Sequence, residues 1–235
     1  MHCTSVANFS TMPDHAPQAI DAVVQGDLTS LDDDALMAAF AKELPRAFDA
    51  LYQRHRAGLY RFVRRLLGPS NASLVDEVFQ DTWMRVVQAR LRWKPQGATF
   101  RTWLYTVAHN RTVDVLRRSG REVAVDATDD VAPFEPDREP WELWPSVASH
   151  TPTQDDTLFW RRAGERLLAC LAELPLAQKA VFLLHHEDGD SVDTIADTLG
   201  VGFETAKSRL RYAMSKLRTC MGAYLDPMQS SKGNL

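Results

Sequence analysis

The 235-residue chain is 45% hydrophobic and 25% charged with a formal net charge of −4, a balance that suits a soluble globular protein of one or two domains. It has no apolar run near the ~20 residues of a membrane span. Its start, MHCTSVANFSTMPDHAPQ, lacks the basic and apolar segments of a secretion signal, so a cytoplasmic location without membrane insertion is expected.

Residues 1–30 mix proline, serine and threonine without a period and are read as a disordered extension. Asp32, Asp33 and Asp34 stand at the start of a short helix over 31–42, where carboxylates face the positive helix end. Pro45 suits the first turn of a longer helix running to Gly68-Pro69. Ala47, Phe48, Leu51, Tyr52, Leu59, Phe62, Val63 and Leu66 form its apolar face. Ser73 with Asp76 has the spacing of a capping box, opening a helix through LVDEVFQDTWMRVVQAR. That helix turns Leu74, Val75, Val78, Trp83, Val86 and Val87 inward and leaves Asp76, Glu77, Gln80, Asp81 and Arg85 free for another macromolecule. The stretch around Lys94-Pro95-Gln96-Gly97 reads as a loop. Thr99 can cap the next helix, FRTWLYTVAHNRTVDVLRR, whose Trp103 is assigned to the core with Trp83.

Residues 119–160 hold five prolines and no sustained period, a linker composition in which Trp141 and Trp144 are unusual. Helix returns with Arg161 to Leu174 and, after Pro175, with Leu176 to His186. Ser191 caps a helix with Val192, Ile195, Ala196 and Leu199 inward. Gly200 fits a left-handed reversal, and Val201 plugs the corner. A second helix runs from Phe203 to Arg218, with Phe203, Ala206, Leu210, Ala213, Met214 and Leu217 inward. Ala196 and Ala206 are small where two crossing helices approach. The result is helix-turn-helix spacing. Between Phe203 and Arg218, five basic residues stand against one acid, and Glu204, Thr205, Lys207, Ser208, Arg209 and Arg211 point outward, types that reach phosphates and major-groove base edges.

The charge is segregated along the chain. Residues 46–120 carry fourteen basic and five acidic side chains, whereas 121–160 carry two and ten, so the anionic partner belongs to particular blocks and not to the whole surface. Cys3, Cys170 and Cys220 are odd in number, far apart and without a CxxC, so reduced thiols are expected, with neither a disulfide framework nor a four-ligand zinc site. The run His185-His186-Glu187-Asp188 invites a metal, but its residues point different ways around a helix and no further ligand is evident. No metal and no cofactor are expected.

The segments AFDALYQRHRAGLYRFVRRLLG, LVDEVFQDTWMRVVQ and TFRTWLYTVAHNRTVDVLRR resemble, in order, region 2 of the extracytoplasmic-function (ECF) sigma factors of the sigma-70 family. LAELPLAQKAVFLLHHEDGDSVDTIADTLGVGFETAKSRLRYAMSKLR resembles their region 4. The resemblance implies an all-α protein in which a region 2 helical bundle (31–119) and a region 4 helix-turn-helix domain (159–222) are joined by a flexible acidic linker (120–158), with a tail at 223–235. It also implies the partners: core RNA polymerase through its beta and beta-prime subunits, promoter DNA, and an anti-sigma protein. Asp76, Glu77, Gln80, Asp81 and Arg85 would dock on the polymerase. Arg92, Trp93, Lys94, Gln96, Thr99 and Phe100 would hold a flipped base of the minus-10 element, and Asn110, Arg111, Arg117 and Arg118 would follow the opened strand. Glu204, Thr205, Lys207, Ser208, Arg209 and Arg211 would read the minus-35 element. VDEVFQD departs from the family's usual acidic pair at the docking face.

Residue chemistry agrees where it can be compared. Melted DNA presents base faces and phosphates, and Arg92, Trp93, Lys94 and Phe100 supply planar walls beside cations. Taken alone, Trp93 reads slightly better as a surface loop tryptophan tucked onto its own domain. A stand-alone helix-turn-helix regulator shares the region 4 chemistry but needs a dimer interface or receiver domain that the sequence lacks. An enzyme is not expected, since no nucleophile–base pair, phosphate loop or paired metal-carboxylate motif is present.

Overall fold

The computed structural model describes residues 28–94, 98–120 and 154–230. Among them every regular element is helical, in two lobes. The first lobe opens with a short 3-10 turn and α1 (Asp33–Ala41), whose cap Asp32 accepts the Ala35 N–H at 2.7 Å. Leu36, Met37 and Phe40 are buried along one side of α1. Pro45 is the first residue of α2 (Pro45–Leu67), a position where its missing N–H costs no helix bond. α2 is the axis of the lobe and touches α1, α3 (Val75–Ala89) and α4 (Phe100–Arg118). Leu51, Leu59, Phe62 and Val63 are essentially inaccessible on it, each such side chain contributing about 1.5–3 kcal/mol relative to exposure. Phe48, Tyr52 and Trp83 close one end, with Trp83 edge-on to Tyr52 at 5.0 Å and to Phe48 at 5.7 Å.

Polar ties from distant parts of the chain complete this lobe. Asp33 accepts from Arg54 at 2.6 Å and pairs with His55 at 2.7 Å. Burial alone would raise the Asp33 pKa, but the His55 and Arg54 bonds hold it below the ordinary value. Asp34 accepts the backbone N–H of Phe100 at 2.9 Å, so the first turn of α1 satisfies an orphan donor at the start of α4.

The second lobe comprises α5 (Gln154–Glu173), α6 (Leu176–His186), α7 (Val192–Leu199) and α8 (Phe203–Ser230). Ser191 accepts the Thr194 N–H at 3.2 Å as the cap of α7. Gly200 ends α7 at φ 64°, and Val201 returns its N–H to Ala196 at 3.0 Å. Ala206, Leu210, Ala213, Met214 and Leu217 are buried on α8. The lobes pack directly: α2 touches α5 and α6, and α4 touches α7.

Several local expectations are corrected. Ser73 does not cap α3; residues Pro69–Leu74 wind as a 3-10 helix and α3 begins at Val75 behind Leu74, which makes no side-chain cap bond. The reason lies upstream, where Gly68 at φ 73° and the buried Asn71 amide, donating to Leu67 O at 2.8 Å, already close the end of α2. Phe203, expected inward, is 41% exposed at the start of α8. α5 begins at Gln154, inside the stretch assigned to the linker, and α8 continues to Ser230 through the expected tail. Cys170 and Cys220 are joined by a disulfide. α5 packs on α8 with Cys170 and Leu171 buried, a tertiary contact of which the sequence spacing gives no sign. Cys3, the residue 1–30 extension, Gln96, Trp141 and Trp144 lie outside the described residues.

Candidate nucleic-acid interface

The loop after α3 is wound back onto it: Arg92 and Trp93 both donate their backbone N–H to Ala89 O at 2.8 Å. This holds Trp93 half-buried, edge-on to Phe100 at 6.1 Å, while Arg92 and Lys94 stay exposed. Arg92, Trp93, Lys94, Ala98 and Trp103 line an open cavity of about 300 Å³. Indole faces beside two cations form a surface on which a base stacks and its phosphate is neutralised. Phe100, expected as one of its walls, is fully buried; it supports Trp93 and Trp103 from behind, the latter at 5.9 Å. Thr99 is occupied as the cap of α4, accepting the Thr102 N–H at 3.2 Å. Trp103 was assigned to the core by its helical period, and the signal that it also serves the loop is its place one turn after Thr99.

Along α4 the structure separates the expected strand residues. Asn110, Arg117 and Arg118 are exposed. Arg111 is 6% exposed and bridges to Glu77 at 2.8 Å and Asp81 at 2.5 Å on α3. A basic residue on a buried stripe satisfies its own lobe before it meets DNA, so Arg111 acts as the tie between α3 and α4. The same pairs orient the opposite face, where Asp76, Glu77, Gln80 and Arg85 are exposed and Asp81 is half-buried. Asp76 also accepts from the Tyr60 hydroxyl at 3.2 Å.

In the helix-turn-helix, Glu204 and Thr205 are exposed, while Lys207, Ser208, Arg209 and Arg211 are half-buried. Arg209 lines a crevice of about 270 Å³ with Leu199 of α7 and His109, Asn110 and Arg117 of α4. Burial holds the His109 pKa down, with the nearby Arg209 charge acting in the same direction. The expected minus-10 and minus-35 surfaces therefore meet along one crevice.

The His185-His186-Glu187-Asp188 run disperses. His186 stacks toward Phe182 at 4.5 Å and contacts Met214 Sδ at 3.2 Å, and burial pushes its pKa down to about 4. His185 Nδ1 lies 3.0 Å from Asp190 O. Glu187, Asp188 and Asp190 instead reach across to the first lobe, a role that the sequence pattern did not suggest.

The Sigma-70 region 2 family matches residues 51–122, and the Sigma-70 region 4 family matches 164–217. The ECF RNA polymerase sigma factor SigL of Mycobacterium tuberculosis is 33% identical over 171 residues, covering 72% of this chain and 85% of its own. The ECF RNA polymerase sigma factor SigK of Mycolicibacterium vanbaalenii is 28% identical over 203 residues, covering 86% and 96%. Among solved structures, CnrH in complex with the cytosolic domain of CnrY shares the fold at a TM-score of 0.53 and 24% identity, over 82% of this chain and 99% of that one.

Proposed function

Because the chain belongs to the ECF RNA polymerase sigma factors of the sigma-70 family, we propose a division of labour among its surfaces that follows from their chemistry. The protein is a sigma factor: it binds core RNA polymerase, recognises minus-35 and minus-10 promoter elements and promotes transcription initiation. The cup formed by Arg92, Trp93, Lys94 and Trp103 receives an unstacked base of the minus-10 element, with Phe100 as its support and Gln96 and Thr99 contributing further contacts to that element. Asn110, Arg117 and Arg118 carry the phosphates of the opened strand. Arg111 acts one step back, by fixing Glu77 and Asp81.

Those two acids, with Asp76, Gln80 and Arg85, form the face for the beta and beta-prime subunits of polymerase. Glu204, Thr205, Lys207, Ser208, Arg209 and Arg211 read the minus-35 duplex. The protein works in the cytoplasm with polymerase, and we assign it no chemical step and no cofactor. CnrH was solved with a cytosolic protein domain bound, and by analogy an anti-sigma protein is the expected inhibitor here.

What supports this reading is that one chain carries both a tryptophan cup flanked by Arg92 and Lys94 and a helix-turn-helix with a basic outer face, the first suited to a stacked base and the second to a groove. A stand-alone helix-turn-helix regulator uses only the second. Run-off transcription with purified core polymerase tests the assignment. Arg211→Ala should weaken promoters through the minus-35 element by ~1–3 kcal/mol, whereas Trp93→Ala should impair strand opening seen by permanganate. Mutants that shift both readouts together would show that the surfaces are not divided in this way.

A further inference from the structure

The first turn of α6 is chemically open. Pro175 stands at its cap position without a side-chain bond, and no acidic residue occupies the turn, so backbone N–H groups and the positive end of the helix dipole are left for an outside acceptor. Leu176 and Ala177 of that turn line the crevice of about 270 Å³ to which α4 contributes His109, Asp114 and Arg117, and α8 contributes Arg209. His109 Nδ1 is buried at its wall and has no hydrogen-bond partner. Burial, with the Arg209 charge, disfavours the charged imidazole, so the ring meets a ligand as a neutral group able to donate from that nitrogen. Two arginines, an imidazole and a helix start therefore converge from three helices.

We infer that this crevice is a binding site for a free mononucleotide, held by its phosphate. Arginines take a phosphate through paired, charge-assisted hydrogen bonds, and an uncapped helix start adds backbone donors aimed at the same charge. Asp114 repels a bare anion and accepts from hydroxyl hydrogens, which a ribose supplies and inorganic phosphate does not. Val113, Leu199 and Val201 give the crevice an apolar wall, suited to the face of a base. Its volume lies just below the ~300 Å³ at which small-molecule sites begin, too little for a dinucleotide. Asn110, Arg117 and Arg209 also belong to the faces assigned to promoter DNA, so a bound nucleotide competes with DNA phosphates for them. That consequence rests on the DNA assignment; the binding itself does not.

The test is equilibrium dialysis of the full-length chain against labelled AMP and GMP, with adenosine and inorganic phosphate as comparisons. A single site per chain is expected, binding a nucleotide at least about tenfold more tightly than either fragment. Arg117→Gln and Ala177→Asp should each weaken that binding about tenfold. Ala177→Asp places a carboxylate in the first turn of α6, where the dipole favours it, so this variant should melt no lower than the wild type while repelling the phosphate. The His109 ring resonances should move on saturation with nucleotide and stay in place with adenosine. No binding of AMP or GMP at millimolar concentration would overturn the proposal, as would adenosine binding as tightly as AMP or unchanged affinity in Ala177→Asp. Nucleotide should also displace a minus-10 single-strand oligonucleotide from the wild type. Saturable nucleotide binding without displacement would support the site and count against the assignment of Asn110 and Arg117 to DNA.

Discussion

The two lobes reach a similar helical architecture by different means. In the second, short-range features do the work: Ser191 caps α7, Gly200 reverses the chain, and the small Ala206 is fully buried at the start of α8. Each acts within a few residues of its partner, which is why helix-turn-helix spacing survives as a readable pattern. In the first, side chains far apart in sequence set the geometry, with Asp34 capping α4 at Phe100 and Arg111 tying α4 to α3. A lobe built from local signals tolerates loss of any one long-range contact; a lobe stitched by them does not. The second lobe has long-range ties too, the Cys170–Cys220 disulfide foremost among them.

Reduction of that bridge should therefore be the largest perturbation and should fall on one lobe only. Chain-entropy reasoning for a sequence separation of 50 gives about 4 kcal/mol. Thermal denaturation of Cys170→Ser should show that loss in the transition of the second lobe, with the first lobe's transition unmoved.

Arg111→Met keeps the length and apolar stem of the side chain and removes the ties to Glu77 and Asp81, for an expected cost of about 2 kcal/mol to the first lobe. It should also weaken binding to core polymerase, because the α3 acids lose their orientation, and a pull-down titration with the isolated enzyme measures this. Retained affinity would mean that the α3 face is positioned without Arg111.

The smallest effects come from the caps, and they compare the lobes most directly. Asp34→Ala and Ser191→Ala should each cost ~1 kcal/mol in urea titrations. The first should also loosen the Trp93–Trp103 cup, since Phe100 supports both tryptophans, and tryptophan fluorescence should shift to the red. The second should leave that emission unchanged.

Most helices and the turn at Gly200 were legible because apolar period and capping chemistry are local. The cup was half legible: Arg92, Trp93 and Lys94 declare themselves by residue type, whereas the burial of Phe100 and the service of Trp103 depend on how α4 packs behind the loop. The resemblance implies a place for Arg111 along the opened strand, whereas its side chain is buried and paired with Glu77 and Asp81; no local pattern separates a cation facing α3 from one facing solvent. The Ser73 cap failed for a similar reason. Its spacing was right, but Gly68 and Asn71 had already determined how the chain leaves α2.

The Cys170–Cys220 bridge has a topological consequence. It links the first and last helices of the second lobe and so closes a covalent ring that contains all of α6 and α7 and most of α8, as far as Cys220. A protease that cuts once anywhere within this ring makes a nick and releases no fragment. Cleavage at the Gly200 turn would leave the recognition helix attached to α5, and the nicked protein would run as one band on a non-reducing gel and as two after addition of thiol.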